Sequence, residues 1–372
     1  MRILQIAPLW ERLPPPAYGG TEAVAHLLVE ELVRLGHEVT LCASGDSQTS
    51  AVLQACYPRS LRTAEDIEAK SFYSWQHAAL SLRDADAYDI VHNHAGEEVM
   101  ALSHLIRSVP MLSTMHCLIT PDSRFIWDRY PGYYNTISAA QRRNMPGIQG
   151  GSFAGVVHNA IDVASFPFQE EKGDDLLFLG RISPEKGPEA AVEVARRSRK
   201  RLIIAGKVDA ADREYYRTKV APLIDGVQVR FVGEADAKMK RQLYGQAQAV
   251  LMPIAWEEPF GLVLAEAQAC GTPVITFRRG AAPEIVRHGE TGFVVDNIDE
   301  MVEAVGRTRE ISPAKCRENV ERRFDAPIMA ANYLAVYRRI LEQERSWKGP
   351  QPAGAGGLGD RASDSRTTAR VA

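Results

Sequence analysis

Short apolar runs of strand length alternate with helical patterns along most of the chain, and this rhythm restarts near the middle. Residues 2–7, 38–42, 90–92, 111–115, 135–138 and 156–158 read as strands, followed by 176–179, 202–205, 227–232, 249–253 and 274–276. Between them apolar residues recur at helical spacing. Val24, Leu27, Leu28, Leu32 and Leu35 form one such stripe, and Gly36 closes it as a C-terminal glycine closes a helix. Further helices are expected over 73–84, 97–107, 190–197, 236–247 and 260–269. Strands that are apolar throughout need cover on both faces, and helices crossing back over a parallel sheet supply it. The expected class is therefore α/β, with two doubly wound, Rossmann-like domains and a linker from Phe166 to Gly173. Ligands of such domains bind at the carboxyl ends of the strands, here in a cleft between the two.

A chain of 372 residues can bury two cores without disulfides or structural metals. Its five cysteines are scattered, with no C-x-x-C pair. That argues against a disulfide framework or zinc ribbon and for a reducing, cytoplasmic setting. The net charge of -3 lacks the basic footprint of a general nucleic-acid binder. No apolar run reaches the roughly 18 residues of a membrane span, and no signal-peptide pattern follows Met1. The expected division is an amino-terminal domain over 1–165, a carboxy-terminal domain over 166–325, a last helix over 326–347 and a disordered tail over 348–372. The tail contains Gly354, Gly356 and Gly359 in G-x-G-x-x-G spacing. No strand pattern precedes them and no helix pattern follows, so this is not a dinucleotide site.

Three segments fall where ligands would be met. Tyr18-Gly19-Gly20-Thr21-Glu22 lies between the first strand and the first helix, where glycines let backbone approach an anion or simply form a loop. Gly180-Arg181-Ile182-Ser183-Pro184-Glu185-Lys186-Gly187 follows the strand at 176–179. Its two cations suit a diphosphate, or else pair on the surface with Glu185 and Glu189. The stretch from Glu258 to Glu266 is expected to open a helix, with Pro259 in its first turn and Glu258 at its mouth. Glu266 would then lie two turns inside, about 12 Å along the axis. Backbone N–H groups near Phe260, Gly261 and Leu262 suit phosphate oxygens, and carboxylates suit vicinal diols. The alternative is a helix cap and a solvated glutamate. His116 follows the strand at 111–115 and would reach the cleft from its other wall, although a lone histidine is more often structural. Asp84-Ala85-Asp86 reads as a solvated helix end rather than a metal site. His92 and His94 share one strand face with no third ligand and read as satisfied buried histidines.

Together these residues resemble the retaining glycosyltransferases of family 4, which have the GT-B fold. The matching segments are Gly19-Gly20, Asp89 to His94, Ser113 to His116, Ile137-Ser138 and Asn159 to Asp162. In the second half they are Gly180 to Gly187, Phe231-Val232-Gly233, and Glu258 to Glu266 running on through Ala269-Cys270-Gly271-Thr272-Pro273-Val274. The resemblance covers about residues 1–340, with Ala160 where the family usually has glycine. It implies a GT-B fold whose last helix crosses back to brace the amino-terminal domain. It also implies transfer of a hexosyl group, with retention, from a nucleotide sugar, a UDP-sugar being favoured; with no obvious carboxylate nucleophile in the amino-terminal half, retention suggests same-face substitution.

By that resemblance Glu266 would hold the ribose, Arg181 and Lys186 the diphosphate, and Glu258 hydroxyls of the donor sugar. Gly19 and Gly20 would meet the diphosphate from the other domain, and Phe260, Gly261 and Leu262 would flank the donor. His116 would touch the donor sugar near its reacting centre, making His116 and Glu258 the candidate catalytic pair. Neither a metal nor another cofactor is expected. The acceptor, a small molecule, a glycan or a lipid-linked one, would dock near the aromatic stretch 124–134. Phe72 to Trp75 and Arg142-Arg143 suggest a peripheral membrane contact. The alternatives are a nucleotide-sugar epimerase or sugar phosphorylase on the same fold, or a non-catalytic nucleotide-sugar binder.

Overall fold

The computed structural model describes residues 1–347 apart from Tyr18 and Arg107, so the glycine motif and tail of the sequence reading lie outside the described residues. The first parallel sheet comprises Arg2–Ile6 (β1), Glu38–Ala43 (β2), Val52–Ala55 (β3), Ile90–Asn93 (β4), Met111–Met115 (β5), Tyr133–Thr136 (β6) and Ser152–Val156 (β7). Their order across the sheet is β3-β2-β1-β4-β5-β6-β7. The second parallel sheet comprises Leu176–Leu179 (β8), Leu202–Ala205 (β9), Val229–Phe231 (β10), Ala249–Met252 (β11), Val274–Phe277 (β12) and Gly292–Val295 (β13). It runs in the order β10-β9-β8-β11-β12-β13. Successive side chains of a strand point to opposite faces, so Ile3 enters the core beneath the first helix (Gly20–Arg34) while Leu4 and Ile6 enter the core on the other side. This two-sided burial is why the strands carry continuous apolar runs.

Several boundaries differ from the sequence reading. The sixth strand ends at Thr136 rather than running over 135–138, because Ser138 already caps the helix Ala139–Asn144, its side chain accepting from the Gln141 N–H. The seventh spans Ser152–Val156, not 156–158, and its register against β6 shifts between Tyr134 and Asn135. The helix expected over 97–107 stops at Leu102 and tightens into a 3₁₀ turn, where Ser103 Oγ donates to the Met100 carbonyl. The strands β3 and β13 are additions to the runs anticipated from sequence. Both are edge strands, and β3 is partly exposed, so it lacks the apolar continuity that marks a central strand.

The last helix, Ala326–Trp347, packs on the first sheet although it follows the second in sequence. Two chain segments meet at the crossing. Ile161 N–H donates to the Phe324 carbonyl at 2.9 Å, and Ala326 N–H donates to the Ile161 carbonyl at 3.0 Å. Met329, Tyr333, Leu334, Val336, Tyr337 and Ile340 then enter the same core as Val24, Leu28 and Leu32.

Strand order also locates the site. In the first sheet the connections diverge between β1 and β4, and in the second between β8 and β11. These are the switch points at which an open parallel sheet leaves a crevice at its carboxyl edge.

Candidate active site

At the second switch point the loop after β8 carries Arg181 and Lys186, and the loop after β11 carries Glu258. The two loops are tied together by the Ala255 N–H, which donates to the Glu185 carbonyl at 2.8 Å. The helix expected to open at residue 260 begins instead at Leu262. Gly261 stands at φ +88°, a left-handed conformation that an L side chain resists, so the helix cannot extend back through it. Glu258 therefore lies on a loop, and Glu266 lies about one turn inside the helix Leu262–Ala269. Axial rise along one helix does not set their separation.

Both carboxylates are buried, and each is held by one lysine and one aromatic donor. Glu258 Oε2 pairs with Lys186 Nζ and accepts from Trp256 Nε1 at 2.9 Å. Glu266 Oε1 pairs with Lys240 at 3.0 Å, and its Oε2 accepts from the Tyr244 hydroxyl at 2.7 Å. Lys240 and Tyr244 stand four apart on the helix Ala237–Gln246, hence on one face. Arg181 pairs with Glu185, the surface-type pairing weighed in the sequence reading, and lies 3.8 Å from Asp209 and 3.9 Å from Asp212.

The opposite wall comes from the first sheet. Gly19 and Gly20 lead into the first helix, and a Cβ on Gly20 would sit 3.4 Å from Leu262 Cδ1, so the two halves nearly touch here. Between them lies an open cleft, lined among others by Gly19, Gly20, Gly180, Lys207, Lys240 and Glu266. Glu22, in the first turn of the first helix, is raised to about 7 by burial, reinforced by the nearby Glu11. Glu284 fastens the two halves. Its carboxylate accepts from the Ala139 and Ala140 N–H groups and from His158 Nε2 at 3.0 Å. Burial alone would raise its pKa, but these bonds outweigh that and hold it below the usual carboxylate range.

His116 extends from the end of β5 and is half-buried, its Nε2 lying 2.9 Å from His94 Nδ1. Behind it His92 and His94 are fully enclosed and hydrogen-bonded, as the satisfied-histidine reading required. Burial depresses all three: His116 falls to about 4, and His92 and His94 lie well below the usual range, each pushed further by neighbouring imidazole. These groups stay neutral when folded but titrate near 6.5 when unfolded. The unfolded chain therefore binds more protons between about pH 6.5 and pH 4, and stability falls as pH drops through that window. Each histidine contributes a slope of up to about 1.4 kcal/mol per pH unit, while Glu22 works in the opposite direction and offsets roughly one of them. We expect the thermal midpoint to decline steadily from pH 7 to pH 5; a flat profile would contradict this assignment.

Comparison with known proteins bears on the family and the fold. Residues 18–148 match the family described as Glycosyltransferase Family 4, and residues 163–322 match Glycosyl transferases group 1. The chain belongs to glycosyltransferase family 4. It is 28% identical to a D-inositol 3-phosphate glycosyltransferase of Acidothermus cellulolyticus, over 72% of this chain and 71% of that one. The crystal structure of AviGT4, a glycosyltransferase involved in avilamycin A biosynthesis, superposes with a TM-score of 0.73 at 27% identity, covering 92% of this chain and 98% of that one. The Anabaena protein HepE, solved in complex with UDP and glucose, shares the fold with a TM-score of 0.66 at 17% identity, covering 93% of this chain and all of that one.

In this family 4 glycosyltransferase the cleft unites Gly19, Gly20, Leu262 and Glu266 from the residues anticipated by sequence. Lys186 and Glu258 are brought together as a pair, and Arg181 follows Gly180 at the cleft edge. Phe260 is different: its ring is buried against Phe324, with centroids 5.6 Å apart, which leaves only its backbone for a ligand. Sequence reasoning missed Lys207, Lys240, Tyr244 and Trp256. The four-residue spacing of Lys240 and Tyr244 was available as a helical-face pattern, but nothing local ties that face to Glu266. Among the described residues no helix is long and apolar enough to cross a membrane. Phe72, Trp75 and Phe125 are exposed.

Proposed function

We propose that this glycosyltransferase moves a hexosyl group, with retention, from a nucleotide sugar to an acceptor docked on the amino-terminal half. The observation that carries this reading is the pair of buried carboxylates, Glu258 and Glu266, both placed by the second switch point and both braced by a lysine and an aromatic donor. Glu266 lines the cleft opposite Gly19 and Gly20 and is the ribose ligand. Glu258 takes hydroxyls of the donor sugar, and His116 meets that sugar near its reacting carbon. Arg181 and Lys186 take the diphosphate, aided by the backbone N–H groups of Gly19, Gly20, Gly261 and Leu262. Breaking the anomeric C–O bond puts negative charge on the departing phosphate, and two cations with a helix N-terminus stabilise it there. The charge that reaction requires is thus supplied by side chains, with no metal or other cofactor invoked. We propose same-face attack, with the leaving phosphate accepting the acceptor's proton. Closure of the two halves limits hydrolysis by excluding water.

A UDP-sugar is the favoured donor, in keeping with HepE, a structural neighbour solved with UDP and glucose. A thermal-shift screen of UDP, GDP and ADP followed by NMR of the reaction with UDP-glucose tests the reading. UDP at 100 times its Kd is expected to stabilise the native state by about 2.7 kcal/mol, and the product should keep the donor's anomeric configuration. Inverted product, or altered donor stereochemistry without acceptor, would overturn it in favour of an inverting transferase or an epimerase.

A further inference from the structure

A directional chain of buried hydrogen bonds runs from the sixth strand to His116 by way of the last helix. Its origin is a group that can only accept. The backbone carbonyl of Thr136 receives Asn135 Nδ2 at 3.4 Å, which turns Asn135 Oδ1 toward Thr114. The Thr114 hydroxyl donates to that oxygen at 2.8 Å. Having spent its proton there, Thr114 Oγ1 accepts from His92 Nε2 at 2.7 Å. Neutral His92 then has an unprotonated Nδ1, which accepts the Tyr337 hydroxyl proton at 2.6 Å. Tyr337 in turn is left as an acceptor for Gln5 Nε2 at 3.0 Å. With its amide so oriented, Gln5 presents Oε1 to His94 Nε2–H at 3.0 Å. Neutral His94 therefore accepts at Nδ1, and His116 must be the donor through Nε2–H at 2.9 Å.

We infer that Tyr337 is a positioning residue for His116, acting through Gln5 and His94 to lock His116 in the tautomer that leaves Nδ1 as a hydrogen-bond acceptor for a hydroxyl of the bound sugar. The inference rests on the proposed role of His116 at the donor. The residues in the chain come from β6, β5, β4, the last helix and β1, with His94 and His116 just past the ends of β4 and β5, so no local motif encodes it. Every one of these side chains except the half-buried His116 is buried, which makes a reversed or broken link costly. Burial also keeps all three imidazoles neutral, the condition under which one proton per ring transmits direction.

The test is ¹⁵N NMR of the histidine ring nitrogens, with steady-state kinetics, in the wild-type chain and in Tyr337→Phe. The wild type is expected to show His116 as the Nε2–H tautomer. In Tyr337→Phe the Gln5 amide loses its orientation, so both tautomers of His116 should be populated, with kcat reduced roughly three- to tenfold and KM for the donor changed less. Gln5→Met cuts the same path from another residue and must reproduce the tautomer mixture, which covers the case that Tyr337→Phe fails to fold. Tyr333→Phe removes an equally buried hydroxyl from the same helix, but one that bonds Thr114 and Asn135 and lies off the path from Tyr337 to His116. It should leave the tautomer alone. A single Nε2–H tautomer persisting in Tyr337→Phe and Gln5→Met would overturn the inference. If His116→Ala leaves transfer unchanged, the proposed role of His116 fails instead, and with it the functional half of the inference.

Discussion

Replacing Glu266 by alanine is expected to lower kcat/KM for the donor on the order of 10²- to 10⁴-fold while the chain remains folded. The carboxylate is buried, and its two oxygens are directed by Lys240 and Tyr244, so its remaining lone pairs are pre-aimed at paired hydroxyls. Two hydrogen bonds to a charged acceptor contribute roughly 1.5–3 kcal/mol each. Their combined loss gives the stated range. Alanine is a better helix former than glutamate, and Lys240 is partly exposed and can rehydrate, so the helix Leu262–Ala269 should survive. Glu266→Gln keeps the shape without the charge and should fall between wild type and alanine. Donor kinetics beside a circular dichroism spectrum decide the matter. Unaltered kinetics in a folded Glu266→Ala chain would remove this residue from the donor site and undercut the ribose assignment.

The second large effect is structural. A chain ending at Asp325 is expected to lose its folded amino-terminal half. Met329, Tyr333, Leu334, Val336, Tyr337 and Ile340 supply one wall of the core beneath the first sheet. Fully burying an aliphatic or methionine side chain stabilises a fold by roughly 1.5–3 kcal/mol, and the whole net stability of a typical protein is only about 5–15 kcal/mol. Removing the helix also strands the Gln5 amide, His92 Nδ1 and Asn135 Nδ2 without their tyrosine partners. Limited proteolysis of the truncated chain should degrade the region 1–160 rapidly. A protease-resistant, soluble 1–325 fragment with native-like circular dichroism would show that the first sheet stands without its brace.

Much of the architecture was legible before any coordinates. Continuous apolar strands alternating with helical stripes require parallel sheets covered on both sides, and the restart of that pattern implied a second unit. The loops carrying Gly19-Gly20, Arg181 to Lys186 and Glu258 were found because each follows a strand at its carboxyl end, a relation encoded within a few neighbouring residues. The boundary error at residues 260–262 has a local cause too. Pro259 suits a helix start, but Gly261 adopts a conformation that postpones it, and a glycine in sequence does not announce which φ it takes. Edge strands were harder, since the partly exposed β3 has no continuous apolar run to betray it.

What the sequence alone determined is therefore the order of elements and the identity of residues at the mouths of the strands, because periodicity and turn chemistry act over one or two turns of chain. Tertiary structure decided who faces whom. Glu266 meets Lys240 and Tyr244, Lys186 meets Glu258, and Tyr337 reaches Gln5 across a separation of 332 residues. Such pairings depend on strand order and on the crossing of the last helix, and no short-range pattern carries that information. The direction of the hydrogen bonds ending at His116 depends on all of them at once.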